Sequence, residues 1–349
     1  MFPRTQQQQQ RHDEEVAQMN SIISEIWTIY NANTPSLTKD SIRKAGEELE
    51  ICRNDTSGGR NVILQGINGV DYEIFISPPP VRRRPNKRQH LGGSTWFIWY
   101  HSIEHLTIRR DVECFDPKTA YLPMHIAACT REMRPHADDE NDLYASSMEE
   151  PHEAFYEIER KWKMSEYYEQ LQAALAAVKT PLVLDKVIGV ALGPLIIGTR
   201  VHRRSIIQHA LISVICSILL QHGVLSASSK HYVQDPIYTQ REKDVLCLAG
   251  FTVLDDPQAF LMLDNSSVLV SIGPDILVKQ IVADICRPGI IIWLRKYDLI
   301  CEKDGPSPVC QTDPDSPRVD KMIEEDYYEL DLPFHESFGD LVMYIRKVT

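Results

Sequence analysis

The chain has no C-x-x-C pair. Its 8 cysteines, Cys52, Cys114, Cys129, Cys216, Cys247, Cys286, Cys301 and Cys310, are scattered, which removes the usual sequence signal of a zinc site or a dithiol centre. Residues 1–10 are polar and glutamine-rich, with no apolar signal-peptide core. No apolar run is long and clean enough to read as a membrane span. The best, residues 206–220, is interrupted by Gln208, His209, Ser213 and Ser217. Positive charge is also short. A formal net charge of −12 argues against generic binding to nucleic acid or to an acidic membrane. A reducing compartment, cytosol or nucleus, is the expectation. There Cys216, Cys247 and Cys286, each in an apolar helical pattern, should be buried free thiols.

What the chain has is material for a core. With 349 residues, 43% of them hydrophobic, it has room for one large domain or two at about 150 residues each. Residues 1–12 read as a disordered glutamine-rich tail. Residues 13–150 read as an α+β extension. Val16, Met19, Ile22, Ile23, Ile26, Trp27 and Tyr30 recur at helical spacing. A second helix is expected over residues 39–51, with Thr38 as N-cap and Leu37 and Ile42 spaced as a hydrophobic staple. Residues 62–76 read as a β-hairpin around Asn68-Gly69, the preferred pair for a type I′ turn. Residues 95–100 and 107–115 read as further strands.

Two charged stretches interrupt the extension. Pro78-Pro79-Pro80 leads into Arg82, Arg83, Arg84, Lys87 and Arg88, either a nuclear-import or acidic-partner patch or a solvated linker. Residues 132–153 are acidic and turn-rich. A long helix is then expected over residues 151–178, ending before Pro181.

Residues 151–300 carry the pattern on which the rest hangs. Short Val/Ile-rich runs at 186–192, 231–234, 251–254, 268–272 and 290–294 alternate with helical runs at 203–222, 239–249, 257–263 and 274–286. Strands of that kind separated by helices imply a five-stranded, mostly parallel sheet covered on both faces, a Rossmann-like doubly wound α/β fold. Residues 301–349 read as a Pro/Asp-rich loop, a strand near 326–332 and a closing helix or edge element.

The motifs in this region resemble the SRR1-like family, named for sensitivity to red light reduced, and in particular its fungal members. The resemblance is carried by Lys186-Val187-Ile188-Gly189-Val190-Ala191-Leu192-Gly193, Arg204-Ser205-Ile206-Ile207-Gln208-His209-Ala210, Gln234-Asp235-Pro236-Ile237-Tyr238-Thr239 and Asp284-Ile285-Cys286-Arg287-Pro288. It spans roughly residues 155–295. It implies a Rossmann-like domain in a family linked to circadian and light signalling and to regulation of gene expression or haem synthesis. It implies no defined reaction. Where the wider family has Met-Pro-His-Cys after the fourth strand, this chain has Ile272-Gly273-Pro274-Asp275, so a role resting on that His or Cys does not transfer.

Candidate ligand-binding residues follow from the rule that such sheets bind at the carboxyl ends of their strands. Gly193 ends the first strand, but the connection after it, residues 193–204, has neither G-x-G-x-x-G nor a P-loop ending. Arg203 and Arg204 stand in the first turn of the next helix, against the macrodipole. An anionic ligand or a protein carboxylate would offset them. Gln208 lies one turn on in an apolar helix and needs a partner, as does His209, which reads as a satisfied core histidine. Asp235 ends the second strand, positioned to accept from ribose hydroxyls or simply to open a turn and cap the next helix. Gly273 and Asp275 flank Pro274 at the fourth strand end, where Pro274 as a first-turn residue is a sufficient structural reason.

No Ser-His-Asp or Cys-His set, no metal set and no cofactor fingerprint is identifiable. The reading is a regulatory protein acting by binding, with a protein partner and a small anionic or nucleotide-like ligand both open. The alternative is a nucleotide- or S-adenosylmethionine-binding enzyme using the same crevice.

Overall fold

The computed structural model describes residues 6–55, 59–77, 94–108, 115–130, 151–197, 200–296 and 312–347. The basic run at 82–88, most of the acidic stretch and the loop at 302–311 lie outside them. The chain divides into two compact units, residues 1–80 with 96–128, and residues 81–95 with 129–349.

The first unit is α+β. Its elements are α1 (Gln6–Asn31), α2 (Lys39–Asn54), β1 (Arg60–Gln65), β2 (Asp71–Ile76), β3 (Ser94–Tyr100), α3 (Ile103–Thr107) and β4 (Met124–Thr130). Met19, Ile22, Ile26 and Tyr30 are the buried face of α1, as their spacing predicts. The helix starts at Gln6, inside the tail expected to lack structure. Side-chain pairs four apart, Gln9 to Asp13, Gln10 to Glu14 and Arg11 to Glu15, support that first stretch. Thr38 caps α2 in a capping box with Ser41, and Leu37 and Ile42 are both buried.

The hairpin forms, but not on a two-residue turn. Gln65 pairs with Asp71, so residues 66–70 form the loop. Gly69 alone there has positive φ, at 76°. Type I′ needs both central residues in that region, and Asn68 is not. Of the strand expected over 107–115, Thr107 instead ends α3, whose cap is Ser102, and residues 109–114 lie outside the described residues.

The second unit is doubly wound. The single helix expected over 151–178 is two, α4 (Pro151–Lys163) and α5 (Glu166–Ala176), the second restarted by the Ser165 N-cap. Then come β5 (Leu184–Val190), a small ribbon of β6 (Ile196–Ile197) and β7 (Arg200–Val201), α6 (Arg203–Gln221), β8 (Leu225–Gln234), α7 (Gln240–Leu248), β9 (Thr252–Val253), α8 (Gln258–Met262), β10 (Ser267–Val270), α9 (Val278–Ile285), β11 (Ile290–Leu294), α10 (Pro317–Asp326), β12 (Tyr327–Asp331) and β13 (Leu341–Arg346). One sheet of seven strands results, in the order β9-β8-β5-β10-β11-β13-β12.

The five expected strands are all parallel to one another. Two more extend the sheet beyond five, since β13 runs antiparallel between β11 and β12. The closing segment is therefore an internal strand, neither a helix nor an edge. Arg295 beside β11 fastens this addition through Glu329, Asp331 and Asp340. The chain leaves β5 toward β8 on one side and returns to β10 on the other, so the topological switch point lies between β5 and β10.

Helix α6 explains the apolar run that dominates the sequence. It packs on β5 and β8 on one side and on α4 and α5 on the other, so it needs no polar face. By composition it is long and apolar enough to cross a membrane, yet 72% of its most apolar window is buried within the protein. Ile206, Leu211, Ile212, Ile215, Ile218 and Leu219 have no exposed surface, each side chain contributing about 1.5–3 kcal/mol on burial. Of the three cysteines expected to be buried, Cys216 is, Cys286 is half-buried and Cys247 is exposed. Cys247 sits on the outward side of the amphipathic α7.

The close approach of α6 to β5 depends on Gly189. A Cβ there would lie 2.5 Å from Ile212 Cδ1 and 2.7 Å from Leu192 Cδ1. Gly189→Ala should therefore overpack the centre of the unit and lower its stability by about 1–3 kcal/mol. Urea denaturation checks this, and an unchanged midpoint would show that the helix yields freely.

Candidate functional site at the strand tips

Because β5, β8 and β10 are parallel, their carboxyl ends share one edge. Backbone geometry prepares it. β5 ends at Val190, after which Ala191 (φ 55°) and Gly193 (φ 79°) both enter the left-handed region, and Gly273 (φ 58°) does the same beyond β10. That conformation is cheap for glycine and costs an alanine about 1–2 kcal/mol. The Ala191 N–H donates to Gln234 O at 2.9 Å, which holds the turn against β8.

Gly193 and Asp235 meet directly. The Gly193 N–H donates to Asp235 Oδ2 at 2.9 Å, and the Ile237 N–H donates to Asp235 Oδ1 at 3.1 Å. Asp235 thus opens a turn and anchors the first strand's loop at once. Burial pushes its carboxyl up to about 6, the Asp275 and Glu242 carboxylates add to this, and the two N–H groups oppose it. Asp275 is exposed at the rim, within electrostatic reach of Asp235.

The remaining candidates divide. Gln208 is buried and its Nε2 donates to Ile272 O at 3.4 Å, reaching the tip of β10. Arg204 Nε donates to Ser337 O at 3.1 Å, and its Nη2 lies 4.0 Å from where a Cβ on Gly273 would stand. Arg203 is exposed, and its charge reaches the exposed Glu157 on α4. The two arginines opposing the α6 dipole are therefore offset within the protein, by a carbonyl and by a solvated carboxylate. Pro274 is not in a first helical turn, since α9 begins four residues later at Val278. It is held by Thr312 Oγ1, which donates to Pro274 O at 2.5 Å.

Behind these lies a second layer, of which Ser205 and Gln234 fall within the motifs quoted above and Glu242 does not. Glu242, fully buried in α7, accepts from the Ile196 N–H at 2.9 Å, and from the Thr239 N–H and Oγ1 at 2.7 Å each. Its sequence signal is the capping box Thr239-x-x-Glu242; the reach to Ile196 is tertiary. Ser205 Oγ lies within donating distance of Leu192 O (2.6 Å) and Gly193 O (2.7 Å). Gln234 bridges Asp256 and the Ala259 N–H.

His209 is a core histidine with both nitrogens engaged. Nδ1–H donates to Ser205 O at 2.7 Å, so Nε2 carries the lone pair that accepts the Tyr238 hydroxyl at 2.7 Å. Burial lowers its imidazole to about 4. Among the described residues no three His, Cys, Asp or Glu side chains form a metal site.

A family model, the SRR1 domain, matches residues 169–345, half of the chain. The matched region contains every candidate residue above and runs on through β12 and β13. No curated protein matches the chain. Among solved structures, the N-methyltransferase NodS from Bradyrhizobium japonicum WM9 aligns with 54% of this chain and 98% of its own, at 9% identity and a TM-score of 0.29. That likeness is too loose to bear on chemistry.

The Asp235 geometry sets a pH dependence. Its folded carboxyl, raised to about 6 from 3.8, favours the native state while protonated. That stability is complete below about pH 4 and is lost as pH rises through 6. The difference amounts to roughly 3 kcal/mol at 1.36 kcal/mol per pH unit. His209, lowered, acts oppositely over an overlapping range, so the wild-type profile is partly flattened. In D235N only the Asp235 part disappears. Relative to wild type the variant should therefore gain stability as pH rises from about 4 to 7, measurable by urea denaturation across that range. A pH-independent offset between the two proteins would sink the assignment.

Proposed function

The chain belongs to the SRR1 domain family, and we propose that it is a regulatory protein that works by binding a protein partner, its sheet crevice serving as structure and not as a reaction centre. The observation that carries this is the engagement of the strand-tip groups with one another. Asp235 takes the Gly193 and Ile237 N–H groups, Glu242 takes Ile196 and Thr239, Gln208 reaches Ile272 O, and Arg204 reaches Ser337 O. Ser271, which follows β10, is buried and donates to Val190 O inside the sheet. His209 is enclosed and shares its lone pair with Tyr238. A nucleophile with an adjacent accessible base, which acyl or phosphoryl transfer would need, is not found among these residues. The acidic balance of the whole chain favours a protein partner over nucleic acid. A cytoplasmic or nuclear location fits this reading.

One observation favours a second reading. Asp235 follows β8 and Asp275 lies beyond β10, so two carboxylates flank the β5 tip, and in folds of this kind an acidic side chain after the second strand accepts from ribose hydroxyls. A nucleotide or S-adenosylmethionine ligand would use them, with Gly193 and Gly273 giving it close backbone approach.

Thermal-shift titration of the full chain with S-adenosylmethionine, NAD(P) and nucleoside phosphates separates the two. The binding-protein reading expects no saturable shift. A true ligand at 100 times its dissociation constant adds about 2.7 kcal/mol. A saturable shift that Asp275→Ala abolishes would overturn the first reading. Asp275 is the residue to change because it is exposed, so its loss leaves the Asp235–Gly193 contact in place.

A further inference from the structure

The first unit contains a cavity of about 470 Å³, within the range of about 300–1,000 Å³ typical of small-molecule sites. Most of its wall is apolar, including Leu64 from β1, Ile74 from β2 and Ile126 from β4. Beside Ser77, Asp116 and Thr119, its polar lining holds a row of imidazoles: His101 follows β3, His105 lies on α3 and His125 on β4. His101 Nε2 is 2.8 Å from His125 Nδ1. The His101 ring stacks on both neighbours, with centroids 4.4 Å from His105 and 4.8 Å from His125.

Three imidazoles are a poor choice for simple packing, because each added proton repels the next. Burial, with the nearby His105, already holds His125 below the ordinary imidazole range. An anion at the row would reverse this, since an imidazolium donates from both nitrogens where the neutral ring donates from one. Among the described residues few other charges compete. β1 and β2 bring no titratable group to the cavity. Asp116, exposed on the loop before β4, accepts from the Lys118 N–H and from Thr119 Oγ1. Glu104 on α3 is exposed and does not line the cavity. Two large apolar side chains in the lining stay open to solvent: Phe75 is 67% exposed and Ile108 59%. A ligand with an apolar body would cover them. Among the described residues no group of three His, Cys, Asp or Glu side chains is arranged to hold a metal ion.

We infer that this cavity binds an amphipathic carboxylate, its hydrocarbon chain against the apolar wall and its head group on His101, His105 and His125. Affinity should rise on acidification, because binding the anion and protonating the row favour each other.

Titration calorimetry of the full chain with decanoate, and with decanol as the uncharged probe, tests this at about pH 6 and about pH 8, either side of the ordinary imidazole range. Decanoate should bind saturably at one site, about ten-fold tighter at the lower pH, while decanol should be weaker and indifferent to pH. H125F keeps a ring of similar size but loses the nitrogens. It should weaken decanoate about ten-fold at the lower pH, in line with loss of a charge-assisted contact, and leave decanol unchanged. If H125F does not fold, the wild-type imidazole proton resonances decide. Three of them should move with decanoate and stay with decanol. Equal binding of the two probes at both pH values, no saturable heat, or unmoved histidine resonances would each overturn the inference.

Discussion

A single buried carboxylate ties together the tips of two neighbouring strands of the sheet domain. Asp235 ends β8, and through it the glycine turn that ends β5 is tied to the neighbouring strand across 42 residues of chain. An unpaired N–H at that position would cost about 1–3 kcal/mol, and so would a carboxylate buried without donors. Each removes the other's penalty. The balance is not complete, which is why the carboxyl titrates high. Once this contact is in place the first loop has one course. It runs out through the β6–β7 ribbon, is caught again where Glu242 takes the Ile196 N–H, and enters α6 with Ser205 close to the carbonyls of Leu192 and Gly193.

The most specific motif of the chain, Gln234-Asp235-Pro236-Ile237-Tyr238-Thr239, thereby acquires a physical account. Gln234 binds the loop beyond β9, Asp235 the loop beyond β5, Tyr238 the imidazole of α6, and Thr239 starts α7 with Glu242. Four polar side chains in six residues hold four separate segments. Such a density of residues resembles a binding site when read as sequence. In three dimensions it is a joint, and this is what weighs the functional reading toward binding between proteins and away from turnover. Asp275, near this joint but exposed, is the part still oriented outward.

The first unit is built differently. It has its own small core of Ile22, Ile26, Tyr30, Ile67, Ile103 and Tyr121, two-stranded pieces in place of a large sheet, and a cavity lined in part by three imidazoles. Its polar groups are gathered around a space, whereas those of the sheet domain are gathered around each other. The contrast is physical: a network whose members satisfy one another stabilises a fold, whereas polar groups that line a cavity border space a ligand could fill.

Periodicity and composition by themselves determined the elements: the amphipathic α1, the cap at Thr38, the five parallel strands with their covering helices, and the common edge on which Gly193, Asp235 and Gly273 stand. These follow from short-range rules of spacing, capping and burial. Tertiary structure alone decided what the edge residues touch. Nothing local says that Asp235 spends its oxygens on Gly193 and Ile237, that Arg204 reaches a carbonyl near the far end of the chain, or that residues 341–346 form a strand inserted beside β11. Nor does spacing place His125 beside His101, 24 residues earlier in the chain. Pairing over such separations depends on how packed layers close. That information is distributed over the whole core and cannot be read from any one stretch of it.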